Sequence, residues 1–139
     1  MRYLIDTNIL VNFVEDKYIS DNIYAMLDDC ENTIYVSSES VKEFINLIQQ
    51  GKLKSAKEIK IKTFDVFDFI ENELGFIVKY VQREHLKMLA ALENVKEHTD
   101  PNDRLIIAMA LTEKIPVISS DSYFRYYKKQ GLDLIFNHK

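Results

Sequence analysis

Short apolar runs alternate along this chain with longer segments whose apolar residues return every three or four positions, and that alternation predicts most of its elements. Tyr3-Leu4-Ile5 forms a short strand that ends at Asp6, after which Ile9, Leu10 and Phe13 recur at helical spacing. A second strand is predicted over Thr33 to Val36. Ser37 or Ser38 can then cap a helix whose Val41, Phe44, Ile45 and Ile48 make one stripe before Gly51 stops it. Further helices are predicted from Phe64 to Leu74, with Thr63 as cap and Gly75 as terminator, and from Gln82 to Glu93, with the strand Phe76-Ile77-Val78 between them. The next helix starts where Asp100 can cap it and Pro101 takes the first helical position, at which a missing N–H costs nothing, and it runs to about Glu113. Val117-Ile118 makes a short strand ending near Asp121, and a helix around Tyr123 to Lys129 leads through Gly131 to a last strand at Leu134 to Phe136. Strands alternating with helices in this way predict a parallel sheet covered on both faces.

Composition narrows the class. With 139 residues and 47% hydrophobic content, the chain is expected to form one domain with a substantial core. No apolar run reaches the roughly 18 residues of a membrane span, and Asp6 interrupts the amino-terminal stretch MRYLIDTNIL too early for a signal peptide, so a cytosolic protein with no membrane partner is expected. Cys30 is the sole cysteine, which excludes an internal disulfide and a cysteine-based zinc cluster; it reads as a partly buried thiol. Eighteen basic residues face 22 acidic ones, a formal charge of −4 that argues at face value against a polyanionic partner. Four acids gathered around a metal would account for that excess, and two divalent ions would neutralise it, so nucleic acid stays within reach.

The carboxylates carry the candidate chemistry. In open parallel sheets, ligands bind at the carboxyl ends of the strands, where the connection direction reverses. Asp6 follows its strand directly, and Asp121 comes three residues after Ile118. Glu43 and Asp103 each lie in the first turn or two of a helix that could aim its amino terminus at the same rim. Acids crowded together persist ionised only when a cation or several donors compensate them. Oxygen-only ligation favours Mg²⁺ or Mn²⁺ over zinc, and His85, His98 and His138 show neither an HExxH motif nor a paired-His spacing. Two such ions can stabilise both the attacking and the leaving oxygen of a phosphoryl displacement, which suits phosphodiester hydrolysis. Taken singly, Asp103 could only complement a helix dipole, Asp121 could cap the last helix and Glu43 could be a surface acid. Asp6 stands between an Asx cap and a ligand, with Thr7 and Asn8 able to hydrogen-bond a carboxylate. No Ser-His-Asp or Cys-His arrangement is evident, so covalent catalysis is not expected.

With these residues in view, the chain resembles the PIN-domain family and, within it, the VapC-like toxins of toxin–antitoxin pairs. The likeness rests on YLIDTNILV, SSESVKEFINLIQQGKL, HTDPNDRLIIAMAL and VISSDSYF in that order, the segment Asp100-Pro101-Asn102-Asp103-Arg104 being the most specific. By this resemblance the metal-binding acids fall on Asp6, Glu43, Asp103 and Asp121, and Asn8 and Ser119 fall where polar residues support the site. It also implies a doubly wound α/β/α sandwich, Mg²⁺ or Mn²⁺ dependence, an endoribonuclease working through a metal-activated water, a homodimer and inhibition by a small antitoxin. Asp6, Glu43 and Asp103 are expected to hold the first ion, with Asp121 serving a second ion or positioning water. Lys42 stands where related toxins commonly have Trp, and Asn102 where an aromatic is frequent; neither removes a ligand.

For RNA contact, Lys52, Lys54, Lys57, Lys60 and Lys62 form the densest positive stretch and could equally be a solvated face. Arg104 is the better placed cation, or the partner of a neighbouring acid. Tyr123, Phe124, Tyr126 and Tyr127 could stack on bases, although at least two must face inward on any helix. Two further readings remain open: a Mg²⁺-dependent phosphatase using an aspartyl phosphate, weakened by Asn8 in place of a second Asp, and a non-catalytic metal-binding or interaction module.

Overall fold

A computed structural model describes residues 1–54 and 65–138. The expected first strand is β1 (Arg2–Ile5), and its side chains divide between two cores: Tyr3 and Ile5 join one, Leu4 the other. The same alternation runs through β2 (Thr33–Ser37), β3 (Ile77–Lys79), β4 (Val117–Ser119) and β5 (Leu134–Phe136). Ile34, Val36, Val78, Ile118 and Ile135 face the first core, whereas Val117 and Leu134 face the second. Because both faces are covered, the strands read in sequence as near-continuous apolar runs.

All pairings are parallel and the strand order is β3-β2-β1-β4-β5. Helices α1 (Thr7–Val14), α2 (Asp21–Asp28), α3 (Ser38–Gln49) and α4 (Val66–Asp68), the last continuing into a π-helical turn at Phe69–Glu73, cover one face through Ile9, Leu10, Ile23, Leu27, Phe44 and Ile70. The other face is covered by α5 (Arg83–Ala91), α6 (Pro101–Glu113) and a 3₁₀ helix at Ser122–Gln130. This is the expected three-layer α/β/α sandwich. Six consecutive residues of α6, Leu105 to Ala110, are buried, and that central stretch is apolar on every side. No helix among the described residues is long and apolar enough to cross a membrane.

Several expectations need correction. The helix expected around Tyr123 to Lys129 is 3₁₀ in character, and Gly131 ends it in the left-handed region at φ 103°. Thr63 and Phe64, the expected start of the fourth helix, lie outside the described residues, as do Lys57, Lys60 and Lys62; Lys52 and Lys54 are exposed. Cys30 is exposed rather than partly buried, because the turn between α2 and β2 carries it outward. Lys114 closes α6 in the left-handed conformation at φ 56°, which strains any residue with a Cβ. Lys114→Gly is therefore expected to stabilise the fold by about 1 kcal/mol in chemical unfolding; an unchanged midpoint would show that the lysine makes up the strain elsewhere.

Candidate metal centre at the sheet's switch point

The chain winds from β1 outward through β2 to β3, then returns to build β4 and β5 on the other side of β1. The direction therefore reverses between β1 and β4, and a crevice opens at their carboxyl ends. Asp6 leaves β1 at this point, its amide bonded to the Ile118 carbonyl of β4 at 3.0 Å. The Asp6 carboxylate, 2% exposed, accepts from the Thr7 amide at 2.7 Å through Oδ1, and through Oδ2 from Asn8 Nδ2 at 2.9 Å and Ser119 Oγ at 2.8 Å. Ser119 Oγ in turn accepts from the Asp121 amide at 2.9 Å, and Asn8 Oδ1 from the Ser120 amide at 3.2 Å. The two strand ends are thus tied together by Asn8 and Ser119.

Glu43 lies in the second turn of α3, and its neighbour Ser40 shares a hydroxyl–hydroxyl hydrogen bond with Thr7 Oγ1 at 2.8 Å, which docks α3 onto the start of α1. Asp103 is the third residue of α6, whose amino terminus is capped by Asp100 Oδ1 accepting from the amides of Asn102 and Asp103. Asp121 caps the 3₁₀ helix, its Oδ1 accepting from the Tyr123 amide at 2.9 Å. Asp6 and Asp121 thus also serve as helix caps.

Electrostatics couple all four acids. Burial first, and then the Asp103 charge, push the Asp6 carboxyl up to about 7, with Asp121 adding to the rise and the Ser119 and Thr7 hydrogen bonds opposing it. Burial and Asp103 likewise raise Glu43, partly offset by a hydrogen bond from the Thr7 side chain. Asp103 is raised by burial and by Asp100 and Asp121, against the lowering influence of His98. Asp103 is the hub, since it repels both Asp6 and Glu43.

Sequence reasoning missed His98. It is buried, its Nε2 lies 3.2 Å from Asp103 Oδ2 and its Nδ1 lies 2.8 Å from the Tyr127 hydroxyl. Arg104 Nη1 donates to that hydroxyl at 3.0 Å, so the single tyrosine proton goes to the nearer acceptor, His98 Nδ1, rather than to the His98 carbonyl at 3.4 Å. The proton on Nε2 then points at Asp103. Arg104 is held over the Leu92 and Glu93 carbonyls and Tyr127, so its guanidinium props this chain and pairs with no acid among the described residues. Phe124 and Tyr127 are the buried members of the aromatic group, and Tyr123 is exposed. Tyr127→Phe would leave His98 Nδ1 without its donor in a buried place; about 1–3 kcal/mol lost in chemical unfolding is expected, and an unchanged midpoint would show the relay to be idle.

Donor atoms of His98, Asp103 and Asp121 all lie within 4.8 Å of one another, the one such group of three among the described residues. The expected first-ion set of Asp6, Glu43 and Asp103 is less tightly gathered. The donor set fits a hard divalent cation: carboxylate oxygens predominate, their mutual repulsion calls for a counter-charge, and the one imidazole points its N–H at an acid rather than offering a lone pair.

Fold and site define a three-layer α/β/α domain with an acidic crevice at the switch point of its parallel sheet. The PIN domain model matches residues 3–130, and the chain belongs to the PIN-domain family. Among solved structures, it is similar to a chain of VapBC2 from Rickettsia felis bound to a DNA fragment from their promoter, with 20% identity, a TM-score of 0.73 and coverage of 99% of this chain and 100% of that one. It is also similar to a chain of VapBC-1 from nontypeable Haemophilus influenzae, with 16% identity, a TM-score of 0.64 and 98% of each chain covered. A toxin–antitoxin complex from Klebsiella pneumoniae matches with 16% identity, a TM-score of 0.54 and coverage of 86% and 87%. At these identities the likeness is one of fold. No curated protein sequence matches the chain.

Proposed function

We propose that this protein is a Mg²⁺- or Mn²⁺-dependent endoribonuclease and the toxin of a toxin–antitoxin pair, restrained by a small protein antitoxin. The carrying observation is the set of coupled acids at the switch point, with the buried Asp6 carboxyl pushed up to about 7 when no cation offsets its neighbours. Membership of the PIN family and the likeness to complexes named as VapBC and as toxin–antitoxin support the reading.

Asp6, Glu43, Asp103 and Asp121 would hold the cation. When bound, a divalent ion supplies Lewis-acid stabilisation of charge on the phosphoryl oxygens and acidifies water. The chain's own contribution is positional. Ser119 and Asn8 fix Asp6, His98 fixes one oxygen of Asp103, and the Asp121 amide is pinned to Ser119. An aspartyl-phosphate phosphatase fits poorly, because Asn8 stands where a second Asp would act and instead donates to Asp6 Oδ2 at 2.9 Å.

Incubation of the protein with labelled RNA and with a small phosphomonoester, each with Mg²⁺ and with EDTA, tests this reading. Cleavage of RNA alone, abolished by EDTA, is expected. Release of phosphate from the monoester, or RNA cleavage that survives EDTA, would contradict it.

A further inference from the structure

We propose that the groove between the 3₁₀ helix and β5 is a binding site for the backbone of single-stranded RNA, leading the strand into the acidic crevice; this rests on the nuclease reading above. The groove has a volume of about 220 Å³ and is lined by Ser122, Arg125, Lys128, Leu134, Phe136 and His138. Arg125 and Lys128 stand one turn apart on the exposed side of the helix, and neither enters an ion pair among the described residues. No acid among the described residues lines the groove. Arg125 lies over the Tyr126 ring, 5.3 Å from its centroid, which leaves its charge uncompensated by any acid among the described residues; in a chain of net charge −4, two such cations sharing one cleft concentrate positive potential there.

The opposite wall is apolar and aromatic. Phe136 and His138 meet edge to face, with ring centroids 4.6 Å apart. Cations beside an aromatic platform suit a single strand, whose phosphates pair with the first while its bases stack on the second. A protein partner would need acidic side chains to match Arg125 and Lys128 at one wall and an apolar face at the other.

The groove also adjoins the candidate metal centre. Ser122 follows Asp121, and Asn137, which precedes His138, is bonded to the crevice wall: its amide donates to the Ser119 carbonyl at 2.9 Å and its Nδ2 to Ser120 Oγ at 2.9 Å. A phosphate at Arg125 or Lys128 would therefore lie a short way along the strand from one at the acids. A cavity of about 350 Å³ at the amino edge of the sheet offers the contrast, since Asp28, Asp29 and Glu73 line it and would repel a polyanion.

The test measures binding of a fluorescein-labelled single-stranded oligouridylate in EDTA across a salt series, for the wild type, for Arg125→Gln/Lys128→Gln, and for Arg83→Gln/Lys87→Gln on α5 as a pair of equal charge change. At roughly 0.7 in log–log slope per phosphate contact, the groove pair is expected to reduce the salt dependence by about 1.4, with affinity at low salt falling tenfold or more. The α5 pair should leave the slope unchanged. In Mg²⁺, the groove pair should raise KM with kcat preserved. Equal slopes for wild type and groove pair, equal losses from both pairs, or no binding by the wild type would overturn the proposal. Groove-dependent binding with no cleavage in Mg²⁺ would instead overturn the nuclease reading and leave the groove standing.

Discussion

Replacing Asp6 by Ala is expected to lower RNA cleavage by at least about a thousandfold while leaving the protein folded. Asp6 is the member of the cluster with the least freedom, since three hydrogen bonds fix its oxygens and burial removes water as a substitute. A neighbouring side chain cannot swing in to replace it. Loss of the N-cap bond to Thr7 costs about 1 kcal/mol, and the Asn8 and Ser119 donors lose a partner. Against this, the substitution removes a carboxylate that burial and Asp103 disfavour. The two effects oppose each other near neutral pH, so circular dichroism and the unfolding midpoint should stay close to wild type. Wild-type rates in the variant would remove Asp6 from the site.

The second large effect is on stability without metal. In the folded chain the Asp6 carboxyl holds its proton up to about 7, against an ordinary value of 3.8 in the unfolded chain. Between those values the native state binds the extra proton, so the stability linked to it is full below about pH 4 and lost as pH rises through 7. That rise from 3.8 to about 7 corresponds to something on the order of 4 kcal/mol. Glu43 and Asp103, raised by burial and mutual repulsion, act in the same direction. Glu113 acts oppositely: the His85 hydrogen bond lowers its carboxyl, which contributes stability above the usual carboxylate range and loses it in acid. Chemical unfolding in EDTA should therefore show a marked fall from pH 5 to pH 8, and Mg²⁺ should restore much of it by binding only the native state. A metal-free protein more stable at pH 8 than at pH 5 would contradict the account.

Much of this was legible in the sequence because local signals and tertiary packing agree. The strand ending at Asp6, the cap and proline at Asp100-Pro101 and the stripe Val41, Phe44, Ile45, Ile48 each carry their own start or stop chemistry, and the structure follows them closely. Helix α2 escaped notice although Ser20 caps it, because it buries only Ile23 and Leu27 and presents no sustained stripe. The 3₁₀ winding of Ser122–Gln130 has no periodic signature distinct from an α-helix over so short a span. At the site, the acids were readable as strand-end and first-turn residues. His98 was not: its contact to Tyr127 spans 29 residues and depends on how the second core closes. Its position five residues before Asp103 was the one available hint. The carbonyls that Arg104 meets were hidden for a similar reason, since Leu92 and Glu93 lie just beyond the end of α5, 11 or 12 residues away along the chain.

Titration of the protein with Mn²⁺, followed by the loss of the free-ion electron paramagnetic resonance signal, tests the capture of a divalent cation by these acids most directly. The wild type is expected to take up Mn²⁺, and Asp103→Asn, which removes the charge that couples Asp6, Glu43 and Asp121, to release it while remaining folded. Undiminished uptake by Asp103→Asn, or a wild type that leaves the ion free in solution, would contradict it.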